Sequence, residues 1–261
     1  MPANTAITPH LLITGAASGL GRALAVAWSK KGAAIAVADI HTARAEETVS
    51  LCLEAGAKEA FFIALNVQHA EDFEKARHTL LARWGVVDIV INNAGVAGGG
   101  AIDSIQEKEW QWMLDINLMG AVRGVAAFTP LFKQQNHGQF INIASMAGLL
   151  NPPGMANYNV AKAGVIALSE TLSSELSPWN IRTLAVCPSF FQTHLAESLR
   201  TDDNAMRASF TKLLTRSELS ADDIAEGIIQ AVAQGERLYL PHQRAAEAWQ
   251  NKQEDPQKFF E

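Results

Sequence analysis

Short apolar runs alternate along this chain with longer stretches in which apolar residues return every three or four positions. The runs at residues 11–14, 34–38, 60–65, 86–91, 139–144, 181–186 and, more weakly, 237–240 have the length of strands. Between them, Leu20, Ala23, Leu24, Ala27 and Trp28 share one helical face, as do Phe73, Ala76, Leu80 and Trp84. A third stripe, Trp110, Met113, Leu114, Leu118, Ala121, Val122 and Val125, predicts one helix long enough to cross a domain. Strands separated by helices are the pattern of repeated βαβ units around a parallel sheet. No repeat, low-complexity tract or Gly/Ser linker interrupts residues 1–261, which read as a single domain.

Two segments break the rhythm. Residues 146–157 (MAGLLNPPGMAN) form a Pro/Gly loop, and residues 189–217 form a long connection carrying Phe190, Phe191, Leu195, Leu199, Met206 and Phe210. A connection of that length is either a substrate lid or a plain surface excursion with a helical turn or two.

Composition narrows the function classes. Of 261 residues, 48% are hydrophobic and 18% charged, enough apolar material for a large core. The formal charge is −6 and Lys and Arg are scattered, so nucleic acid is not an expected partner. Cys52 and Cys187 are too few for a disulfide framework or a zinc site and read as buried small hydrophobes, so no metal is expected. Neither a basic leader nor an apolar run of about 18 residues is present, which points to a cytoplasmic protein without a membrane span.

The first strand runs into Thr14-Gly15-Ala16-Ala17-Ser18-Gly19-Leu20-Gly21 and then into the first helix. Glycines there permit a tight turn, close approach to a phosphate and close packing of helix on strand, while free N–H groups at the helix start attract the anion. A glycine trio alone also suits a purely structural turn. Here Asp39 follows at the end of the second strand, about 20 residues on, which makes the turn a dinucleotide site by position. The fold class is therefore α/β, a Rossmann-type doubly wound parallel sheet of about seven strands with helices on both faces.

Asp39 can accept hydrogen bonds from the ribose hydroxyls of adenosine and would repel a 2′-phosphate. Ile40 stands where a basic residue could have met that phosphate, so NAD is expected over NADP. The plainer alternative is that Asp39 caps the next helix, which starts at Thr42.

Tyr158 and Lys162 lie four apart at the start of a helical stretch and so share a face. A phenol of pKa about 10 needs about 4 kcal/mol to reach neutrality. A cation at about 4 Å with an effective dielectric near 20 supplies roughly that, so the pair is expected to act as a general acid/base.

Taken alone, YxxxK is a frequent chance match. In this chain it joins TGAASGLG at residues 14–21, Asp39, the NNAG run at 92–95, Asn117 in DINLMG, Ser145 in INIASMAG and CPSFFQT at 187–193. The ordered set resembles the short-chain dehydrogenase/reductase family, in its short single-domain branch, over nearly the whole chain. The resemblance implies that Tyr158 is the acid/base and that Lys162 binds the nicotinamide ribose and lowers the phenol pKa. It further implies that Ser145 holds the substrate oxygen and Asn117 carries a proton-relay water.

The cofactor would lie against Gly15, Ser18, Gly19, Leu20, Gly21, Asp39, Ile40, Asn66, Val67, Asn93, Ala94 and Gly95, with Asn93 bracing the sheet. Pro188, Phe191 and Thr193 would hold the nicotinamide end. From the residues themselves, Ser145 follows a strand end, where ligands bind in open α/β sheets. Asn117 is a polar group on an apolar stripe and needs partners. A backbone-bonding Asn at a helix kink and a strand-capping Ser remain the alternatives.

Two departures stand out from the family pattern. Asn66-Val67 replaces the usual Asp-Val, and Pro188-Ser189 the usual Pro-Gly. The expected activity is an oxidoreductase that interconverts a secondary alcohol and a ketone with NAD, on an apolar or alicyclic substrate given the Leu, Met, Phe and Pro of the two loops. The rivals are an NADP-dependent carbonyl reductase of the same fold and a non-catalytic dinucleotide-sensing regulator. A methyltransferase shares the glycine turn and acid but has no use for Ser145, Tyr158 and Lys162. The resemblance also implies a homodimer or homotetramer built on helices near 107–135 and 157–177.

Overall fold

The computed structural model describes residues 8–259 apart from residues 193, 202, 216 and 218. The chain opens with β1 (His10–Thr14), α1 (Gly19–Ser29), β2 (Ala34–Asp39), α2 (Thr42–Glu54), β3 (Glu59–Ala64), α3 (Ala70–Trp84) and β4 (Ile89–Asn92). It continues through α4 (Glu107–Asn117), α5 (Met119–Gln135), β5 (Gly138–Ile143), α6 (Ala147–Leu150), α7 (Ala156–Glu175) and β6 (Ile181–Val186). It ends with α8 (Asn204–Thr215), α9 (Ala221–Gln234), β7 (Leu238–Tyr239), α10 (Gln243–Glu254) and α11 (Pro256–Phe259).

The strands form one seven-stranded sheet in the order β3-β2-β1-β4-β5-β6-β7, parallel throughout. Strand order reverses between β1 and β4, and the crevice at that switch point is where open α/β sheets bind ligands.

The sheet is covered on both faces, which explains why its strands read as continuous apolar runs. Leu11 and Ile13 of β1, Ile35 and Val37 of β2 and Ile89 and Ile91 of β4 point into one core with Leu24, Val49 and Ile228 of α1, α2 and α9. Their neighbours Leu12, Ala36, Ala38 and Val90 point the other way, onto Phe73, Phe128 and Leu172 of α3, α5 and α7. Helix ends follow local chemistry. Ser220 and Asp223 form a reciprocal capping box at the start of α9, and α3 stops at Gly85, whose φ of 74° is left-handed. Cys52 and Cys187 are fully buried, and burial pushes both thiols up, Cys187 to about 12.

Two expectations are corrected. The single helix expected across residues 110–125 is two, α4 and α5, divided at Leu118 (φ −109°, ψ −58°). The cause is Asn117, whose Oδ1 accepts from Val96 N at 2.8 Å and whose Nδ2 donates to Val96 O at 2.9 Å. The amide ties the end of α4 to the loop after β4, so α4 packs on α7 while α5 packs on α3. Strand β4 also starts later than its apolar run. Val87 is taken out of the ladder by Gln135, which donates to Val87 O at 2.9 Å and accepts from Val87 N at 3.3 Å.

The connection after β6 is partly helical, with a 3₁₀ turn at His194–Ser198 followed by α8. It is docked rather than loose. Ala97 N donates to Ser198 Oγ at 3.0 Å, Arg200 stacks on Trp112 at 3.8 Å, and the rings of Phe190 and Phe210 meet edge to face at 5.7 Å. No helix among the described residues is long and apolar enough to cross a membrane.

Candidate active site

The turn after β1 lets two chain segments approach more closely than side chains would allow. Gly15 has φ +65°, and a Cβ there would meet Ala94 Cα at 2.8 Å. Gly21 sits one turn into α1, where a Cβ would fall 2.3 Å from Gly15 O and 2.6 Å from Asn93 Nδ2. Asn93 locks the turn to the end of β4, donating from Nδ2 to Thr14 O at 2.8 Å and to Gly15 O at 3.1 Å. Thr14 Oγ1 adds acceptance from Asn93 N and Ala94 N at 3.0 and 3.2 Å. Asn93 thus braces the switch point, as expected.

Gly21→Ala is expected to cost about 1–3 kcal/mol, the range of overpacking against atoms that cannot move aside. It should also weaken dinucleotide binding. Urea unfolding with NAD calorimetry checks this, and a variant as stable as the parent would remove the packing role.

At the switch point lies a cavity of about 670 Å³, continuous from Asp39 to Tyr158. That volume falls within the range of small-molecule and cofactor sites. At one end Asp39, 8% exposed, accepts from Ala17 N and His41 N, each at 3.0 Å. The carboxylate therefore clamps the glycine turn and the start of α2 while still facing the cavity. The plain capping alternative holds in part, since one of its two bonds goes to the residue before α2.

Ile40, 63% exposed, stands beside it. Gly15, Ser18, Leu20, Asn66, Val67, Asn93, Ala94, Gly95, Pro188 and Phe191 line the same space. Asn66 Oδ1 accepts from Gln68 N at 3.1 Å, so the amide that replaces the usual acid is already braced by its own loop. At the other departure, Ser189 N donates to His242 Nδ1 at 3.1 Å, which fixes the backbone where a glycine was expected.

The far end brings Ser145, Tyr158 and Lys162 together. Ser145 follows β5; its Oγ accepts from Ala147 N at 3.1 Å and donates to Pro188 O at 3.3 Å, and it lines the cavity with Tyr158. Tyr158 and Lys162 project from the first turns of α7 and are 8% and 4% exposed. Lys162 Nζ donates to Ile143 O at 2.8 Å and stands 5.8 Å from the centre of the Tyr158 ring. Leu150, Met155, Phe190, Leu195, Phe210 and Leu214 also line the cavity, and all of these but Leu150 belong to one apolar cluster with Tyr158.

Three of the expected residues do not line the cavity, and a fourth lies outside the described residues. Gly19 and Gly21 do not line the cavity; Gly21 serves the packing beneath it. Asn117 does not line it either, because its amide is spent on the Val96 backbone and on Met113 Sδ at 2.9 Å. It reaches the site only from behind Gly95, where a Cβ would lie 3.2 Å from Asn117 Oδ1 and 3.6 Å from Lys162 Nζ. Thr193 lies outside the described residues.

The phenol is not brought toward neutrality. Burial pushes Tyr158 up to about 12 against the lowering effect of the Ser145 side chain, and burial lowers Lys162 to about 8. Desolvation of the charged form is the leading cause for both groups.

Sequence reasoning missed His41, Arg44, Glu197, Met146 and Ala147, which also line the cavity. Loop placement alone pointed to the last two.

The family model described as short chain dehydrogenase matches residues 9–204. A 3-oxoacyl-[acyl-carrier-protein] reductase of Synechocystis sp. is 33% identical over 199 residues, covering 76% of this chain and 81% of that protein. A short chain dehydrogenase/reductase of Burkholderia phymatum, solved in complex with NAD, superposes with a TM-score of 0.90 at 29% identity, covering 96% of this chain and 95% of that one. A short-chain dehydrogenase of Sphingobium yanoikuyae in complex with NADPH superposes with a TM-score of 0.80 at 26% identity, covering 97% and 95%. Fold, site order and relatives agree, and the chain belongs to the short-chain dehydrogenase/reductase family of oxidoreductases.

Proposed function

We propose that this oxidoreductase interconverts a secondary alcohol and a ketone with NAD, on an apolar or alicyclic substrate. The observation that carries the reading is one cavity with the Asp39 carboxylate at one end and Ser145, Tyr158 and Lys162 at the other. Gly15 and Gly95 line the stretch between these ends, which supports a dinucleotide lying along it. Asp39 would hold the adenosine ribose, the turn at Gly15 and Ser18 the phosphates, and Lys162 the nicotinamide ribose. The nicotinamide ring supplies the hydride acceptor or donor when bound.

The proton belongs to this chain. With its pKa pushed up to about 12, Tyr158 is a protonated phenol at neutral pH and is poised to give its proton to a carbonyl oxygen as that oxygen gains charge. Ser145 lines the cavity beside it and would orient that oxygen. Asn117 acts by position, fixing the loop that carries Gly95. Segment 189–217 would close the substrate end, and its Phe190, Leu195, Phe210 and Leu214 support an apolar substrate.

The test is a 340 nm absorbance screen of alcohols and ketones with NAD and NADP. The name of the Synechocystis relative adds a 3-oxoacyl thioester to that panel. No turnover of any member would remove the catalytic reading and leave a dinucleotide-sensing protein.

NAD preference has its own check. Asp39→Ala with Ile40→Arg should shift the NAD/NADP ratio of kcat/KM at least about tenfold toward NADP, since about 1.4 kcal/mol is one decade. Removing the repulsion and adding a guanidinium each suffice on the scale of charged hydrogen bonds. The variant also loses the two backbone bonds of Asp39, so its kcat/KM with NAD should fall outright. A parent enzyme that already favours NADP would overturn the NAD reading.

A further inference from the structure

The adenosine end of the cavity holds a cation that no nearby sequence pattern marks. Among the described lining residues Arg44 carries the one guanidinium, while the ammonium of Lys162 is at the opposite end on Ile143 O. Arg44 stands in the first turn of α2, just past Asp39 and Ile40. Its Nη1 lies 2.9 Å from Oε2 of Glu197, which comes from the 3₁₀ turn His194–Ser198, 153 residues away. Both partners line the cavity and both are about half exposed, 44% and 54%.

The other guanidinium beside the glycine turn is engaged as well. Arg22 Nη2 donates to Ala17 O and to Glu47 Oε2, each at 2.8 Å, and Arg22 Nε donates to Thr48 Oγ1 at 3.0 Å.

We propose that Glu197 is a specificity-determining residue for the cofactor, holding the Arg44 guanidinium that a 2′-phosphate would otherwise recruit. The inference rests on the reading of this cavity as a dinucleotide site. Arg binds phosphate through paired N–H donors, and those donors are effective when no carboxylate competes for them. A 2′-phosphate arriving beside Asp39 meets one fixed carboxylate and an arginine already facing a second. Discrimination against NADP then has two parts, repulsion by Asp39 and withdrawal of Arg44, which is how specificity is built from unfavourable as well as favourable contacts.

The ion pair is exposed enough to be weak by itself, so its effect is expected in the choice of ligand rather than in stability. Glu197 lies in the same segment as Phe190, Leu195 and Phe210, which line the other part of the cavity.

Calorimetric titration of NAD and NADP against the parent protein, Glu197→Gln, Arg44→Ala and the double variant tests this. Glu197→Gln is expected to tighten NADP by about tenfold, one decade in affinity, while NAD changes by less than about twofold. Arg44→Ala and the double variant are expected to show no such gain. An NADP/NAD affinity ratio in Glu197→Gln within about twofold of the parent, a decade being the predicted step, would overturn the proposal. So would a gain that survives in the double variant, because Arg44 would then not be its source. The titrations also separate this inference from the reading beneath it: a parent that binds neither dinucleotide removes the site itself, whereas a parent that binds with an unmoved ratio removes only the role of Glu197.

Discussion

Tyr158→Phe is expected to lower kcat by about 10² to 10⁴, the range of general acid/base catalysis, with NAD affinity unchanged. The substitution removes one oxygen and keeps the ring. That ring packs among Met113, Met155, Ala161, Leu199 and Phe210, so the fold and the apolar wall of the cavity are retained. What is lost is the hydroxyl proposed to carry the proton, and with it any polar contact toward Ser145. Loss of one such contact costs about 1 kcal/mol, too little to unfold a chain of this size and easily seen in a urea melt. The measurement is steady-state kinetics on the best substrate of the panel, paired with NAD calorimetry. A variant keeping more than half the parental kcat would sink the assignment of Tyr158.

Much of this architecture is legible from residue order. Strands buried on both faces can be read because Leu11, Leu12 and Ile13 are apolar in succession, and the switch point can be read because the glycine turn follows the first of them. Asp39, Ser145 and Tyr158 are legible because each sits at a strand end or in a first helical turn, positions that local pattern defines.

What escapes the sequence is set by partners far along the chain. The stripe from Trp110 to Val125 has unbroken helical period, yet Asn117 spends its amide on Val96, 21 positions earlier, and the helix divides there. Val87 looks like strand and is captured by Gln135. Arg44 and Glu197 meet across 153 positions, with nothing local to either that foretells the pair.

The pKa of Tyr158 failed for a different reason. Spacing places the ammonium on the same face of α7, but the depth of burial, which decides the sign, is a property of the assembled cavity.

That same burial makes Lys162→Met a test of how catalytic geometry weighs on stability. The unfolded chain carries Lys162 as an ammonium until its ordinary pKa of 10.5, whereas burial lets the folded chain release that proton at about 8. Below both values the two states bind the proton equally, and the native state bears the full cost of a buried charge. Between them the unfolded state binds more protons, so the folded state gains stability as pH rises. Above 10.5 the gain is complete.

At about 1.36 kcal/mol per pH unit the interval amounts to roughly 3 kcal/mol. Methionine has no such group, so the stability of the parent relative to Lys162→Met should climb by roughly that amount from pH 8 to 10.5. At neutral pH the variant escapes the buried charge but leaves Ile143 O without its donor, a loss of about 1–3 kcal/mol, so the two proteins should lie close together there. Turnover should fall and NAD binding weaken, because the side chain proposed to hold the nicotinamide ribose is gone. Urea unfolding at half-unit pH intervals reads the difference directly. Parallel curves for the two proteins across this interval would show that Lys162 keeps its ordinary pKa, and the desolvated ammonium at the centre of this site would have to be given up.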